Sequence, residues 1–212
     1  MIDMRPVLRL FERKFLNLFP RYLSLPTKLF PHLFDEMDLF FLPRITGKRI
    51  LDIGTGLSPY PIRFVKERPE VSSMVGLDIS ENLLRKAKNL ARDQNVGNQI
   101  KFVRADAHAL SFSNDTFDCI FSIGSLNLWN NPILVLNDAY RVLKPGGKFF
   151  LLDQCRAKSM EEIVEALFKR GFFGIGLVAY SENEIRYFIR KSAFKDCDIK
   201  IENMVIYIEM KK

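Results

Sequence analysis

An apolar strand that runs into an acid and a glycine turn constrains this chain more than any other feature. The segment reads Arg49-Ile-Leu-Asp-Ile-Gly-Thr-Gly-Leu-Ser-Pro59. A helix length later a second strand-like run, Met74-Val-Gly-Leu-Asp78-Ile-Ser80, ends in another acid. That layout builds a nucleoside-binding crevice at the carboxyl ends of parallel strands. Its details exclude the commonest owner of such a crevice. A dinucleotide fingerprint needs glycine at the sixth position of G-x-G-x-x-G, and counted from Gly54 that position is Pro59.

The pattern around this segment predicts an α/β fold. Strand runs at Arg49–Ile53, Ser73–Leu77, Ile100–Arg104, Asp118–Ser122 and Lys148–Leu152 alternate with helical stretches. The helices are expected from Ser58-Pro59 to Arg68, from Glu81 to Gln94 and from Ile133 to Leu143. Pro145-Gly146-Gly147 reads as the turn into the fifth strand. The strands are continuous apolar runs, as in a sheet covered on both faces. Beyond them, Ser159 caps an expected helix from Met160 to Arg170, and Gly171, Gly174 and Gly176 punctuate an apolar stretch to Tyr180. Ser181 with Glu184 forms a capping box for another helix. Runs at Cys197–Ile201 and Val205–Met210, separated by a few residues, are expected to pair antiparallel.

Residues 1–46 read as a helical N-terminal lid in front of a domain spanning 47–212. Val7, Leu8, Phe11, Phe15, Leu18 and Phe19 recur at helical spacing beside a basic row of Arg5, Arg9 and Arg13. A shorter helix is expected from His32 to Leu42. A lid over the crevice, a peripheral membrane contact and a dimer contact are three readings of that greasy face. Oligomeric state does not follow from the sequence.

A chain of 212 residues holds one α/β domain with a proper core, and its 48% hydrophobic content is that of a globular protein. No apolar run is long enough to span a bilayer. The three cysteines, Cys119, Cys155 and Cys197, lack metal-ligand or disulfide spacing, so a cytoplasmic protein with reduced thiols and no metal is expected. The net charge of +7 is spread along the chain and does not by itself signal nucleic acid.

Three acids carry the candidate chemistry. Asp52 precedes the turn Gly54-Thr55-Gly56, whose glycines allow positive φ and close approach of a ligand. Asp78, followed by Ile79, ends the second strand 22 residues after Gly56, where a carboxylate can accept vicinal ribose hydroxyls. Asp106 follows the third strand; it can accept an exocyclic adenine amine while the Ala107 N–H donates to the ring. His108 reads as a loop residue rather than a base, being a lone histidine without a partner in sequence.

Taken in order, Ile50-Leu-Asp-Ile-Gly-Thr-Gly56, Val75-Gly-Leu-Asp-Ile-Ser80, Ala105-Asp-Ala107, Asp115-Thr-Phe-Asp118 and Arg141-Val-Leu-Lys-Pro-Gly-Gly-Lys148 resemble class I S-adenosylmethionine (SAM)-dependent methyltransferases. The likeness is to the ubiquinone/menaquinone C-methyltransferases and related small-molecule enzymes, and covers residues 45–153 best. Ser58 replaces the last glycine of the family's D-x-G-x-G-x-G. The resemblance implies a Rossmann-like, seven-stranded, mostly parallel sheet of order 3-2-1-4-5-7-6, with strand seven antiparallel and helices on both faces. It also implies SAM on the glycine turn, Asp78 on ribose, Asp106 on adenine, and the Ser122 backbone on the methionine amino group.

The fourth motif, Phe121-Ser-Ile-Gly-Ser-Leu-Asn-Leu-Trp129, lacks the N-P-P-Y quartet and the Pro-Cys pair of two nucleic-acid methylating classes. A small, fairly apolar acceptor is expected instead, lined by Ser125, Asn127, Trp129, Asp153 and Tyr180. The stretch has no histidine, and no general base is assigned. The rival readings are a SAM-binding protein without catalysis and a NAD-linked Rossmann-type enzyme.

Overall fold

The computed structural model describes residues 40, 42–159, 161, 179–202 and 204–212. The expected N-terminal helix, nearly all of the second one and the lid they compose therefore lie outside the described residues. So do the helix expected over 160–170 and the glycine-punctuated stretch after it, up to residue 178.

Seven strands form one sheet. They are β1 (Arg49–Ile53), β2 (Ser73–Asp78), β3 (Ile100–Arg104), β4 (Phe117–Ile123), β5 (Leu143–Gln154), β6 (Asp196–Glu202) and β7 (Val205–Lys211). Their spatial order is β3-β2-β1-β4-β5-β7-β6. The β3 to β5 neighbours run parallel, and β7 runs antiparallel to both β5 and β6. Among the described residues four α-helices intervene: α1 (Tyr60–Glu67), α2 (Glu81–Asp93), α3 (Pro132–Val142) and α4 (Glu182–Lys191).

Alternation along the strands sorts side chains into two cores, one on each face. Leu51, Ile53, Val75, Ile120 and Phe149 meet α3 and α4 through Val135, Leu136, Ala139, Ile185 and Ile189. Ile50, Met74, Phe121 and Phe150 meet Tyr60, Phe64 and Val65 of α1 and Ala91 of α2 on the other side. Phe117, Phe121, Phe149 and Phe150 are almost wholly buried. Burial of each contributes about 1.5–3 kcal/mol, which is why these strands read as unbroken apolar runs. Phe40 packs its ring edge-on against Phe150 and Tyr207, and Ile45 is fully buried, so the approach to β1 is docked on this second face.

Two expected boundaries move. α1 starts after Pro59, which takes the cap position with no side-chain cap bond; Ser58 lies one residue further out, and its hydroxyl accepts the Tyr60 N–H at 3.3 Å. β5 begins at Leu143 rather than Lys148, because Leu143 pairs with Phe117 ahead of a bulge that absorbs Pro145-Gly146-Gly147. The other described helices are capped as well: Ser80 accepts the Leu83 N–H, Asn131 the Leu134 N–H, and Ser181 with Glu184 closes the expected capping box.

Candidate functional site

The carboxyl ends of β1 and β2 are laced together through the glycine turn. Gly54 and Gly56 have φ of +77° and +47°. The Gly54 and Thr55 amides both donate to the Leu77 carbonyl at 2.8 Å, and the Gly56 amide donates to Asp78 Oδ2 at 2.9 Å. A Cβ on Gly54 would lie 2.1 Å from Ser125 Oγ, so only glycine lets the turn and the β4 exit come this close. Thr55 in turn lies over β2. A Cβ on Gly76 would sit 2.9 Å from Thr55 Oγ1, which makes Gly76 a site residue that motif reasoning missed. Its signal was a glycine inside an apolar strand, which marks close approach.

Asp52 is buried beneath this turn at 1% exposure, and its Oδ2 has no hydrogen-bond partner. Burial pushes its pKa up to about 8; a bond from the Thr55 side chain pulls it down, and the Asp78 charge pushes it further up. A buried polar atom without a partner carries an unrelieved desolvation cost of about 1–3 kcal/mol.

Asp78 is held in a fixed plane. Besides the Gly56 amide on Oδ2, the Ser80 amide donates to Oδ1 at 2.8 Å, and the Asp78 carbonyl accepts the Ala105 N–H at 3.1 Å. That last bond ties the β3 exit to the same cluster. Ile79, next in sequence, is 45% exposed, an apolar side chain left open beside an acid. Asp106 lies on the exposed rim, bonded to His108, and Ala107 is half-buried. Ser122 is wholly buried and its hydroxyl donates to the Ile53 carbonyl at 2.7 Å, pinning β4 to β1.

A second cluster forms at the ends of β4 and β5. The Asn127 side-chain amide donates to Asp153 Oδ1 at 2.7 Å and to the Gln154 carbonyl at 2.9 Å. The Asn127 N–H reaches Asp153 Oδ2 at 3.2 Å, and Asn127 Oδ1 accepts the Tyr180 N–H at 2.9 Å. The Tyr180 hydroxyl donates to the Trp129 carbonyl at 3.1 Å. Burial pushes the Asp153 pKa up to about 6 even though the Gln154 amide, the Asn127 amides and the Leu126 amide favour its charge. Ser125 joins the two clusters, donating to the Gly54 carbonyl at 3.3 Å. Cys119 and Cys155 are buried and Cys197 is exposed.

With this geometry in place, the comparisons with known proteins become specific. The profile of a methyltransferase-domain family matches residues 46–191, more than half of the chain. The chain belongs to this family. It is 32% identical over 113 residues to the ubiquinone/menaquinone biosynthesis C-methyltransferase UbiE of Marinomonas sp., a stretch covering 53% of this chain and 45% of that one. The chain thus matches less than half the length of that curated relative. A crystal structure from Methanococcus maripaludis, provisionally described as a SAM-dependent methyltransferase, superposes with a TM-score of 0.70 at 20% identity. It covers 94% of this chain and 91% of that one. A Haemonchus contortus phosphoethanolamine N-methyltransferase, solved with S-adenosylhomocysteine, superposes at 0.59 with 23% identity, covering 77% and 37%. These two likenesses establish the fold.

The protein thus carries a methyltransferase domain on a Rossmann-like fold, and the cofactor such a domain implies is SAM. Its residues fit that cofactor on their own terms. SAM carries a positive sulfonium and an ammonium, and the strand ends hold two acids, Asp52 with an unpartnered buried oxygen and Asp78 close enough to raise the Asp52 pKa. Among the described residues no helix is long and apolar enough to cross a membrane, and no group of side chains could hold a metal ion.

Proposed function

We propose that the protein transfers the methyl group of SAM to a small, fairly apolar acceptor, with the cofactor lying across the carboxyl ends of β1 to β4. The observation that carries the cofactor placement is the buried Asp52 oxygen without a partner, directly beneath a glycine turn. In this reading Asp52 faces the ammonium end of the cofactor and Gly54, Thr55 and Gly56 give backbone approach. Asp78 receives the ribose hydroxyls. A carboxylate offers about four lone-pair sites, so the two amides that fix its plane are compatible with that duty. Exposed Ile79 supplies an apolar face for the purine, Asp106 accepts its amine, Ala107 donates to the ring, and the Ser122 backbone meets the methionine end.

When bound, SAM supplies a methyl group already activated on a sulfonium. The chain's residues then have to align an acceptor with that group and keep water out. Ser125, Asn127, Trp129, Asp153 and Tyr180 border the place where the acceptor would stand. Asn127 and Asp153 satisfy each other, so they serve as a rigid wall rather than as a proton acceptor. Residues 1–46 remain the proposed lid over this pocket, and the cytoplasm the proposed compartment. The name of the curated relatives puts quinol-like aromatic rings first among acceptors to test. A transfer assay with methyl-labelled SAM over quinols, phenols, amines and structured RNA tests the reading. Label on an apolar small molecule supports it; label only on RNA, or on nothing despite tight SAM binding, overturns it.

A further inference from the structure

The rim of the crevice holds a three-part clasp that the cofactor motifs do not account for. Asp106 Oδ1 accepts the His108 backbone N–H at 3.0 Å and lies 2.6 Å from His108 Nδ1. On its far side, His108 Nε2 meets the Asn131 N–H at 3.2 Å. Asn131 is the N-cap of α3, itself fixed by the Leu134 amide on its side chain and by its carbonyl accepting from Val135.

These partners settle the roles of the imidazole. A backbone N–H can only donate, so Nε2 accepts and is unprotonated. The neutral ring therefore carries its proton on Nδ1, which donates to Asp106. Two donors from one residue converge on a single carboxylate oxygen and fix the plane of the Asp106 carboxyl. This matters because the Asp106 side chain is 55% exposed, and the clasp restrains a carboxylate that lies at the solvent boundary. His108, at 22% side-chain exposure, is wedged between the β3 exit and the start of α3 and transfers the rigidity of that helix to the rim. A carboxylate held in place before the ligand arrives discriminates by direction as well as by charge.

We infer that His108 is a positioning residue for base recognition: it aims Asp106 so that the site selects a purine carrying a 6-amino group. The inference rests on the reading of Asp106 as the acceptor for the adenine amine. His108 is not a catalytic base here, since Nε2 is engaged by the Asn131 amide.

The test needs no acceptor. Calorimetry measures the affinity of the whole chain for S-adenosylhomocysteine and for its 6-deamino analogue, in which hydrogen replaces the amine. The wild-type protein should favour the amine at least tenfold. His108→Ala should cut that ratio at least fivefold while leaving the affinity for the deamino analogue within twofold. His108→Asn, which returns a side-chain donor near the Nδ1 position, should recover part of the ratio. A wild-type protein indifferent to the amine defeats the Asp106 reading itself. A wild-type preference that survives intact in His108→Ala defeats the positioning role alone. Equal weakening of both ligands in both variants defeats it as well, because a loop that has merely loosened does not distinguish them.

Discussion

The proposed cofactor side and the proposed acceptor side of the site treat buried polar groups in opposite ways. Beneath the glycine turn, Asp52 keeps one oxygen without a partner at 1% exposure. At the ends of β4 and β5, Asp153 is equally buried but is surrounded by donors from Asn127 and Gln154, and Asn127 goes on to hold Tyr180. An unmet buried group is a cost the fold bears and a ligand removes; a satisfied network is a strut. The two acids look alike in sequence, each ending an apolar strand, yet one keeps an unmet oxygen and the other is bonded into the fold.

Removing the strut should produce the largest effect. Asn127→Leu keeps the volume but takes a side-chain donor from the Asp153 carboxylate and leaves the Tyr180 amide without its acceptor, while the backbone amides on Asp153 stay in place. Leaving buried polar groups unmet in this way costs about 1–3 kcal/mol for each group. Urea unfolding should show that loss, while SAM affinity of the protein that stays folded changes less than tenfold. A variant of full stability that no longer binds SAM would erase the distinction between the two sides.

Asp52→Asn should do the reverse. Cofactor affinity should fall by about 1.5–3 kcal/mol, the scale for hydrogen bonds to a charged group, with stability at neutral pH unchanged or higher. Calorimetry against the unfolding midpoint separates the two quantities. A drop in stability without a drop in affinity would move Asp52 into the scaffold class.

The same pair of acids sharpens the comparison through pH. Both folded-state pKa values lie above the ordinary aspartate value, about 8 for Asp52 and about 6 for Asp153. The folded protein thus keeps protons that the unfolded chain has released, so stability declines as pH rises from about 4. Asp153 stops contributing near pH 6, whereas Asp52 continues to about 8. Between pH 6 and 8 the slope belongs to Asp52 and is at most about 1.4 kcal/mol per pH unit. Unfolding midpoints across that window should decline in the wild type and flatten in Asp52→Asn. A slope that persists in the variant assigns it to another group.

What the sequence revealed follows the same division. The turn glycines and the acids at strand ends are local signals, each written within a few consecutive residues, and the sheet order came only with the family resemblance those signals carry. The Asn127 to Asp153 and Asn127 to Tyr180 bonds join residues 26 and 53 positions apart, and nothing local marks them as partners. Asn127 and Asp153 read as pocket lining because they lie at or just beyond strand ends, and Tyr180 because it closes a glycine-punctuated apolar stretch; only the fold shows how they bond. Ser58 looked like a helix cap because a small polar residue before proline suits that place, but the turn needs its amide on the Thr55 carbonyl and the helix waits until Tyr60. The PGG segment read as a turn before the fifth strand because sequence does not show that Leu143 had already paired with Phe117.

The smallest effect belongs to Gly56 and divides the cofactor side within itself. Gly54 and Gly56 look interchangeable in the motif, and both have positive φ. They differ in what a side chain would meet. At Gly54 the added carbon collides with Ser125, whereas at Gly56 the nearest atom, Asp78 Oδ2, is 3.8 Å away, an ordinary contact. Gly56→Ala therefore faces no steric barrier within the fold, only the left-handed backbone cost of about 1–2 kcal/mol. Thermal unfolding should show a loss of that size. If SAM binding falls no further than this strain explains, Gly56 serves the turn. If binding vanishes while stability drops only slightly, the added methyl is blocking the ligand, and the cofactor passes directly over Gly56.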